Sequence, residues 1–169
     1  MTAPTVTVTV RPATREDVPA ILDIYNHAVI HTTATYDLEP VSLASRLAWF
    51  DEKTQSGWPV WVAEKAEEVL GWATYGPFRA KAGYDLTAEH SVYVRDGLRG
   101  QGVGRRLMLP LIEDARQRGL HVLIGGVDAD NAGSIAFHEA LGFDQGVRLR
   151  EVGRKFDRWL DVQFMQLFL

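Results

Sequence analysis

Arg99-Gly100-Gln101-Gly102-Val103-Gly104-Arg105 sits between a short apolar run, Ser91-Val92-Tyr93-Val94, and a segment with Leu107, Leu111, Ile112 and Ala115 at helical spacing. Glycines let a backbone turn tightly and approach a ligand, and the first turn of a helix presents unpaired N–H groups and the positive end of its dipole. The loop therefore predicts an anion cradle with a pyrophosphate as ligand; its plain alternative is a tight connection. A Walker loop does not fit, because no Gly-Lys-Ser/Thr follows. Nor does the dinucleotide fingerprint, which needs G-x-G-x-x-G in an early strand–helix–strand unit with an acid about 20 residues on. Here the glycines read G-x-G-x-G and lie past the middle of the chain.

Outward from the loop, strands and helices alternate with no repeat, low-complexity tract or linker. Thr5 to Arg11 has the two-residue period of a strand. Thr14 and Asp17 make a capping-box pattern ahead of Val18, Ile21, Leu22, Tyr25 and Val29, which recur at helical spacing. A second helix starts near Ser42, with Leu43, Leu47 and Phe50 on one face. Val60 to Glu64 and Val69 to Tyr75 read as a hairpin that Gly76-Pro77 ends. Then come a strand over Glu89 to Val94, the loop, a helix stopped by Gly119, and a buried strand over Val122 to Val127. A helix from Asp130 or Asn131 to Leu141, stopped by Gly142, precedes strands near Gly146 to Arg150 and Leu160 to Phe168. This order predicts an α+β fold, a mixed central sheet with helices on both faces, in one domain over residues 1–169.

Composition narrows the function. The chain of 169 residues is 46% hydrophobic and 24% charged, ordinary for a globular domain. Its 18 basic and 22 acidic side chains give a formal charge of −4, which argues against nucleic acid or an anionic membrane as partner. With no cysteine there is neither a disulfide nor a thiol nucleophile, so an enzyme thioester is excluded. Met1 to Val10 lacks the charged and apolar regions of a signal peptide, and no run approaches the ~20 apolar residues of a membrane span; a cytoplasmic protein is expected. The five histidines show no metal-ligand spacing, His27 and His31 at i and i+4 being a weak pair, and no G-x-S-x-G nucleophile elbow occurs.

Arg99, Gly102 and Gly104 satisfy the R/Q-x-x-G-x-G/A pattern of the acyl-CoA cradle in the GNAT N-acetyltransferases. The run Glu89-His90-Ser91-Val92-Tyr93-Val94, the segment Asn131 to Phe143, Ile24-Tyr25-Asn26-His27, and the tail Val152 to Asp161 together resemble its phosphinothricin and methionine sulfoximine (or sulfone) acetyltransferase branch. The resemblance covers nearly the whole chain. It implies a mostly antiparallel sheet splayed at a bulge after the cofactor-facing strand, acetyl-CoA as donor, the α-amino group of a small amino acid as acceptor, no metal, and a homodimer.

The resemblance also implies roles. Glu89 matches the base that takes the ammonium proton, which the attacking amine must lose; an exposed carboxylate at a strand end is its plain reading. Val94 supplies a backbone N–H to the thioester oxygen, and Val92, Tyr93 and Val94 pair with the pantetheine arm. Gly100, Gln101, Gly102, Val103 and Gly104 cradle the pyrophosphate, with Arg99 and Arg105 at phosphate. Asn131 and Ser134 face the cofactor, although Asn131 serves equally as a helix cap. His138 stands where many relatives carry a tyrosine and is the candidate proton donor to the leaving thiolate. The acceptor site draws on Glu89, His90 and Ser91 and on the loop with Arg79, Ala80, Lys81 and Tyr84, while strand alternation turns His90 to the opposite face from Glu89. Tyr25, Phe78, Tyr84 and Trp159 are either pocket walls or core. Tyr84-Asp85 resembles the phosphinothricin branch and Glu89-His90-Ser91 the methionine sulfoximine branch, so both acceptor types stay open. The rival functions are acetylation of a protein N-terminus or another small amine, and a nonenzymatic acyl-CoA sensor.

Overall fold

The computed structural model describes residues 7–169. Thr5 and Val6, the start of the first expected strand, lie outside them. The elements are β1 (Thr9–Pro12), α1 (Val18–His31), α2 (Leu43–Gln55), β2 (Val60–Lys65), β3 (Glu68–Pro77), β4 (Thr87–Val94), α3 (Val103–Gln117), β5 (Val122–Asp128), α4 (Ala132–Ala140), β6 (Asp144–Lys155) and β7 (Arg158–Phe168). Asp17 accepts the Thr14 N–H at 2.7 Å ahead of α1, and Ser42 caps α2 by accepting from Ser45 N at 3.1 Å.

The seven strands form one mixed sheet in the order β1-β2-β3-β4-β5-β7-β6, as the α+β expectation required. Neighbours are antiparallel except β4 and β5, which run parallel. Strand alternation sends Val60, Val62 and Trp72 to one face, where Ile21, Tyr25 and Val29 of α1 and Phe50 of α2 cover them. Ala63, Ala73, Ala88 and Leu123 face the other way, against Leu107, Leu111 and Ala115 of α3, with Ile135 and Phe137 of α4 at the margin. No helix among the described residues is long and apolar enough to cross a membrane.

The feature that makes the site is the join between β4 and β5. Their ladder holds only Thr87↔Val122, Ala88↔Leu123 and Glu89↔Ile124, and the remaining five residues of β4 leave the parallel pairing. The sheet splays there, with β3–β4 on one side and β5–β7 on the other. The register shifts lie elsewhere, at Ala63/Glu64 and twice along β6. β4 and β7 each start two residues ahead of expectation, at Thr87 and Arg158, and two larger differences stand out. β3 runs through Gly76-Pro77 to pair Pro77 with Ala88, and β6 is twelve residues long rather than about five.

Candidate active site

The splay exposes one edge of β4. Arg95 N donates to Leu70 O at 2.8 Å and Phe78 N to Thr87 O at 3.4 Å, which makes Gly71↔Val94 and Pro77↔Ala88 non-hydrogen-bonded pairs. By alternation, the N–H and C=O of Val92 and Val94 turn away from β3 into the split, where the β5 ladder has already stopped. Such an edge can pair with an extended amide-bearing ligand as a further strand would.

A cleft of about 580 Å³ runs along this edge to the start of α3. Val92, Tyr93 and Val94, Arg99, Gly100, Gly102, Val103, Gly104 and Arg105 line it, with Asn131 and Ser134 on the α4 side; Gln101, exposed, does not. The two motif glycines serve different ends. Gly102 caps α3 with φ of +81°, and a Cβ there meets no protein atom within 4 Å, so its missing side chain leaves open cleft. Gly104 instead makes room for Phe137, whose ring would lie 3.2 Å from a Cβ. Asn131 caps α4, accepting from Ser134 N at 3.0 Å, while also lining the cleft.

A second cavity, about 370 Å³, adjoins the first, and the two share Ala34, Val92, Tyr93, Asn131 and Ser134. Glu89, His90, Ser91 and His138 line it. Glu89 is exposed to the open cavity, as its plain reading expected, yet partial desolvation there pushes its carboxyl above the usual carboxylate range, and the positive charge of Arg79 opposes the rise. His90 and His138 are buried and bonded through their Nε2 atoms at 2.9 Å, while His138 Nδ1 lies 2.7 Å from Ser134 O. A carbonyl accepts only, so His138 carries its proton on Nδ1 and its Nε2 accepts from His90. Burial lowers both imidazoles, His90 to about 3, with His138 adding to the effect. Both nitrogens of His138 are therefore engaged, and its Nε2, which accepts from His90, holds no proton for a thiolate until that bond opens and the ring is protonated there.

The loop residues Arg79, Ala80, Lys81 and Tyr84 are exposed and line neither cavity. Arg79 covers the Phe78 ring at 5.1 Å, Phe78 meets Tyr84 edge-on at 5.8 Å, and of this group only Arg79 acts on the cavity, through its charge on Glu89. Tyr25 is core, bonded to Asp37 and to Thr35 Oγ1 at 3.1 Å, and Trp159 is exposed under Arg154. The cavity wall instead contains residues that sequence reading missed: Thr33, Thr35 and Tyr36 from the α1–α2 connection, Asp128 at the end of β5, and Val162 and Phe164 on β7. Thr33 Oγ1 bonds the Asp128 carboxylate within the cavity wall. Among the described residues no group of three or more metal-ligating side chains occurs.

Residues 20–143 match the acetyltransferase (GNAT) family model. An L-methionine sulfoximine/L-methionine sulfone acetyltransferase of Pseudomonas aeruginosa is 50% identical over 161 residues, covering 95% of this chain and 94% of that protein. A phosphinothricin N-acetyltransferase of Streptomyces coelicolor is 38% identical over 165 residues, covering 96% of each. A Salmonella typhimurium structure solved with its cofactor acetyl-CoA superposes with a TM-score of 0.93 at 44% identity, over 96% of this chain and 94% of that one.

Proposed function

Because the chain belongs to the acetyltransferase (GNAT) family, we propose that it moves the acetyl group of acetyl-CoA directly onto the α-amino group of a small amino acid or analogue of the methionine sulfoximine, methionine sulfone or phosphinothricin type. One observation carries this reading. The cradle-bearing cleft and the cavity holding Glu89 meet at the unpaired edge of β4, so donor thioester and acceptor amine converge on one strand.

Gly100, Gly102 and Gly104 at the α3 N-terminus, with Arg99 and Arg105 on the rim, would hold the pyrophosphate, and the free backbone groups of Val92 and Val94 would pair with the pantetheine amides. Glu89, directly or through a water, takes the ammonium proton; its raised pKa brings it closer to the working pH of a general base. The freed amine attacks the thioester carbon, and the N–H of Val94 faces the developing oxyanion. Collapse expels the CoA thiolate, and His138 can protonate it only after its Nε2 has itself gained a proton from the cavity, because its own proton stays on Nδ1 at Ser134 O. No covalent enzyme intermediate is needed, consistent with the absence of cysteine.

The protein works in the cytoplasm as a homodimer. Supporting the dimer, β6 is a long edge strand exposed over most of its length, and Val147, Leu149, Val152, Phe156 and Trp159 on the β6–β7 hairpin are each at least 40% exposed. A bare edge of that kind presents unpaired N–H and C=O groups, and with apolar side chains beside it offers a surface for a second copy.

The test is free thiol release from acetyl-CoA, with mass detection of the acetylated product, across L-methionine sulfone, L-methionine sulfoximine, phosphinothricin, ordinary L-amino acids and an N-terminal peptide. Turnover of amino-acid analogues above the peptide supports the reading. Acetyl-CoA binding without turnover of any amine contradicts it and favours a sensor.

A further inference from the structure

The tail motif Val152 to Asp161 bears on the acceptor cavity in a way that the reaction itself does not use. Gly153 of β6 is buried just past the second register shift of that strand, and the Tyr36 ring lies against it. A Cβ on Gly153 would fall 2.8 Å from both Cδ2 and Cζ of Tyr36 and closer still to Cε2, separations that real side chains do not adopt. The same ring forms part of the cavity wall. Gly153 itself lines neither cavity.

The connection bearing Tyr36 is pinned on both sides of it. Ahead of it Thr33 bonds Asp128 and Thr35 O accepts from Lys155 Nζ at 2.9 Å, and after it the Asp37 carboxylate accepts from Tyr25 OH. Lys155 is buried, so its anchor is shielded from water. The backbone around Tyr36 therefore cannot retreat from a larger residue at position 153. The ring must swing instead, and the open space beside it is the cavity.

We propose that Gly153 is a positioning residue which, by seating Tyr36 back against β6, sets the length of acceptor side chain that the cavity admits. The inference rests on the reading that this cavity takes the acceptor. It assigns the protein to acceptors with an extended side chain of several heavy atoms, of methionine sulfone size, rather than to glycine or alanine. An added methyl group at 153 fills acceptor space by proxy. Removing the ring at 36 creates space. In an apolar pocket one methylene alters discrimination by about 10- to 200-fold.

The experiment compares kcat/KM at saturating acetyl-CoA for L-alanine, L-2-aminobutyrate, L-methionine sulfone and a longer homologue in the wild type, Gly153→Ala, Tyr36→Leu and the double variant. Gly153→Ala should lower methionine sulfone turnover about tenfold or more relative to alanine. Tyr36→Leu should move the preference toward the longer homologue. The double variant should match Tyr36→Leu, because the clash is gone, and the KM for acetyl-CoA should hold throughout. A preference unmoved in Tyr36→Leu overturns the inference, and this variant decides the matter should Gly153→Ala fail to fold. Equal losses on every acceptor in Gly153→Ala, or additive losses in the double variant, overturn it as well. If the wild type acetylates no member of the series, the functional reading fails first and the inference falls with it.

Discussion

Replacing Gly102 with valine separates ligand binding from folding, because the structure supplies a matched control. Gly102 has φ of +81° and Gly119, at the far end of α3, has φ of +78°; at neither would a Cβ meet a protein atom within 4 Å. Valine at either position costs about 1–2 kcal/mol of backbone strain, and the two variants should melt at similar temperatures, about 2–8 °C below the wild type. Only Gly102 lines the cleft. A side chain there takes the space of the pyrophosphate and pushes it from the helix N–H groups, each charge-assisted hydrogen bond being worth about 1.5–3 kcal/mol. At about 1.4 kcal/mol per decade, losing one weakens acetyl-CoA roughly 10- to 150-fold. Calorimetric titration of both folded variants reads the difference. Gly119→Val should bind as the wild type does, and equal affinity in the two variants would refute the assignment of the cradle.

The charge of Arg79 favours the ionised form of Glu89 against burial, so Arg79→Ala should raise the Glu89 pKa further and move the acid limb of kcat/KM for the acceptor to higher pH. The KM for acetyl-CoA should stay level, and a limb that does not move removes the coupling. His90 is held neutral, its folded pKa near 3 against an ordinary 6.5, so the unfolded chain binds the extra proton between those values. Stability is thus full above pH 6.5 and falls as pH drops toward 3, by up to about 1.4 kcal/mol per pH unit for this group. His90→Gln should flatten the dependence in urea titrations from pH 6.5 to 4, and an unchanged slope would place the acid sensitivity elsewhere.

The elements that shape the donor side were legible because local chemistry defines them. Glycines at a strand–helix junction mark the cradle, and apolar periodicity marks α1, α3 and β5. Alternation sends Glu89 and His90 to opposite faces, but it could not show that the split in the sheet brings both to one cavity. The length of β6 was hidden, since an exposed edge strand pairs through its backbone and shows no apolar period. Pro77 misled for a related reason. It occupies a non-hydrogen-bonded position opposite Ala88, beyond the last β2 pair at Val60↔Thr74, where no N–H is required of it. The acceptor cavity was the least legible part. Tyr36, Asp128 and Phe164 come from separate segments and meet only through tertiary packing, whereas the loop at Arg79 to Tyr84, which the family resemblance favoured, stands outside the cavity.

That Glu89 deprotonates the acceptor at the meeting of the two cavities is tested most directly by the pH–rate profile of Glu89→Gln beside the wild type, under saturating acetyl-CoA and with L-methionine sulfone as acceptor. Glutamine keeps the shape and hydrogen bonding and loses the basicity, so folding and acetyl-CoA affinity should hold while kcat/KM for the acceptor at neutral pH falls about 100- to 10,000-fold. The deficit should shrink as rising pH supplies free amine. A Gln variant with near-normal kcat/KM at neutral pH would contradict the account.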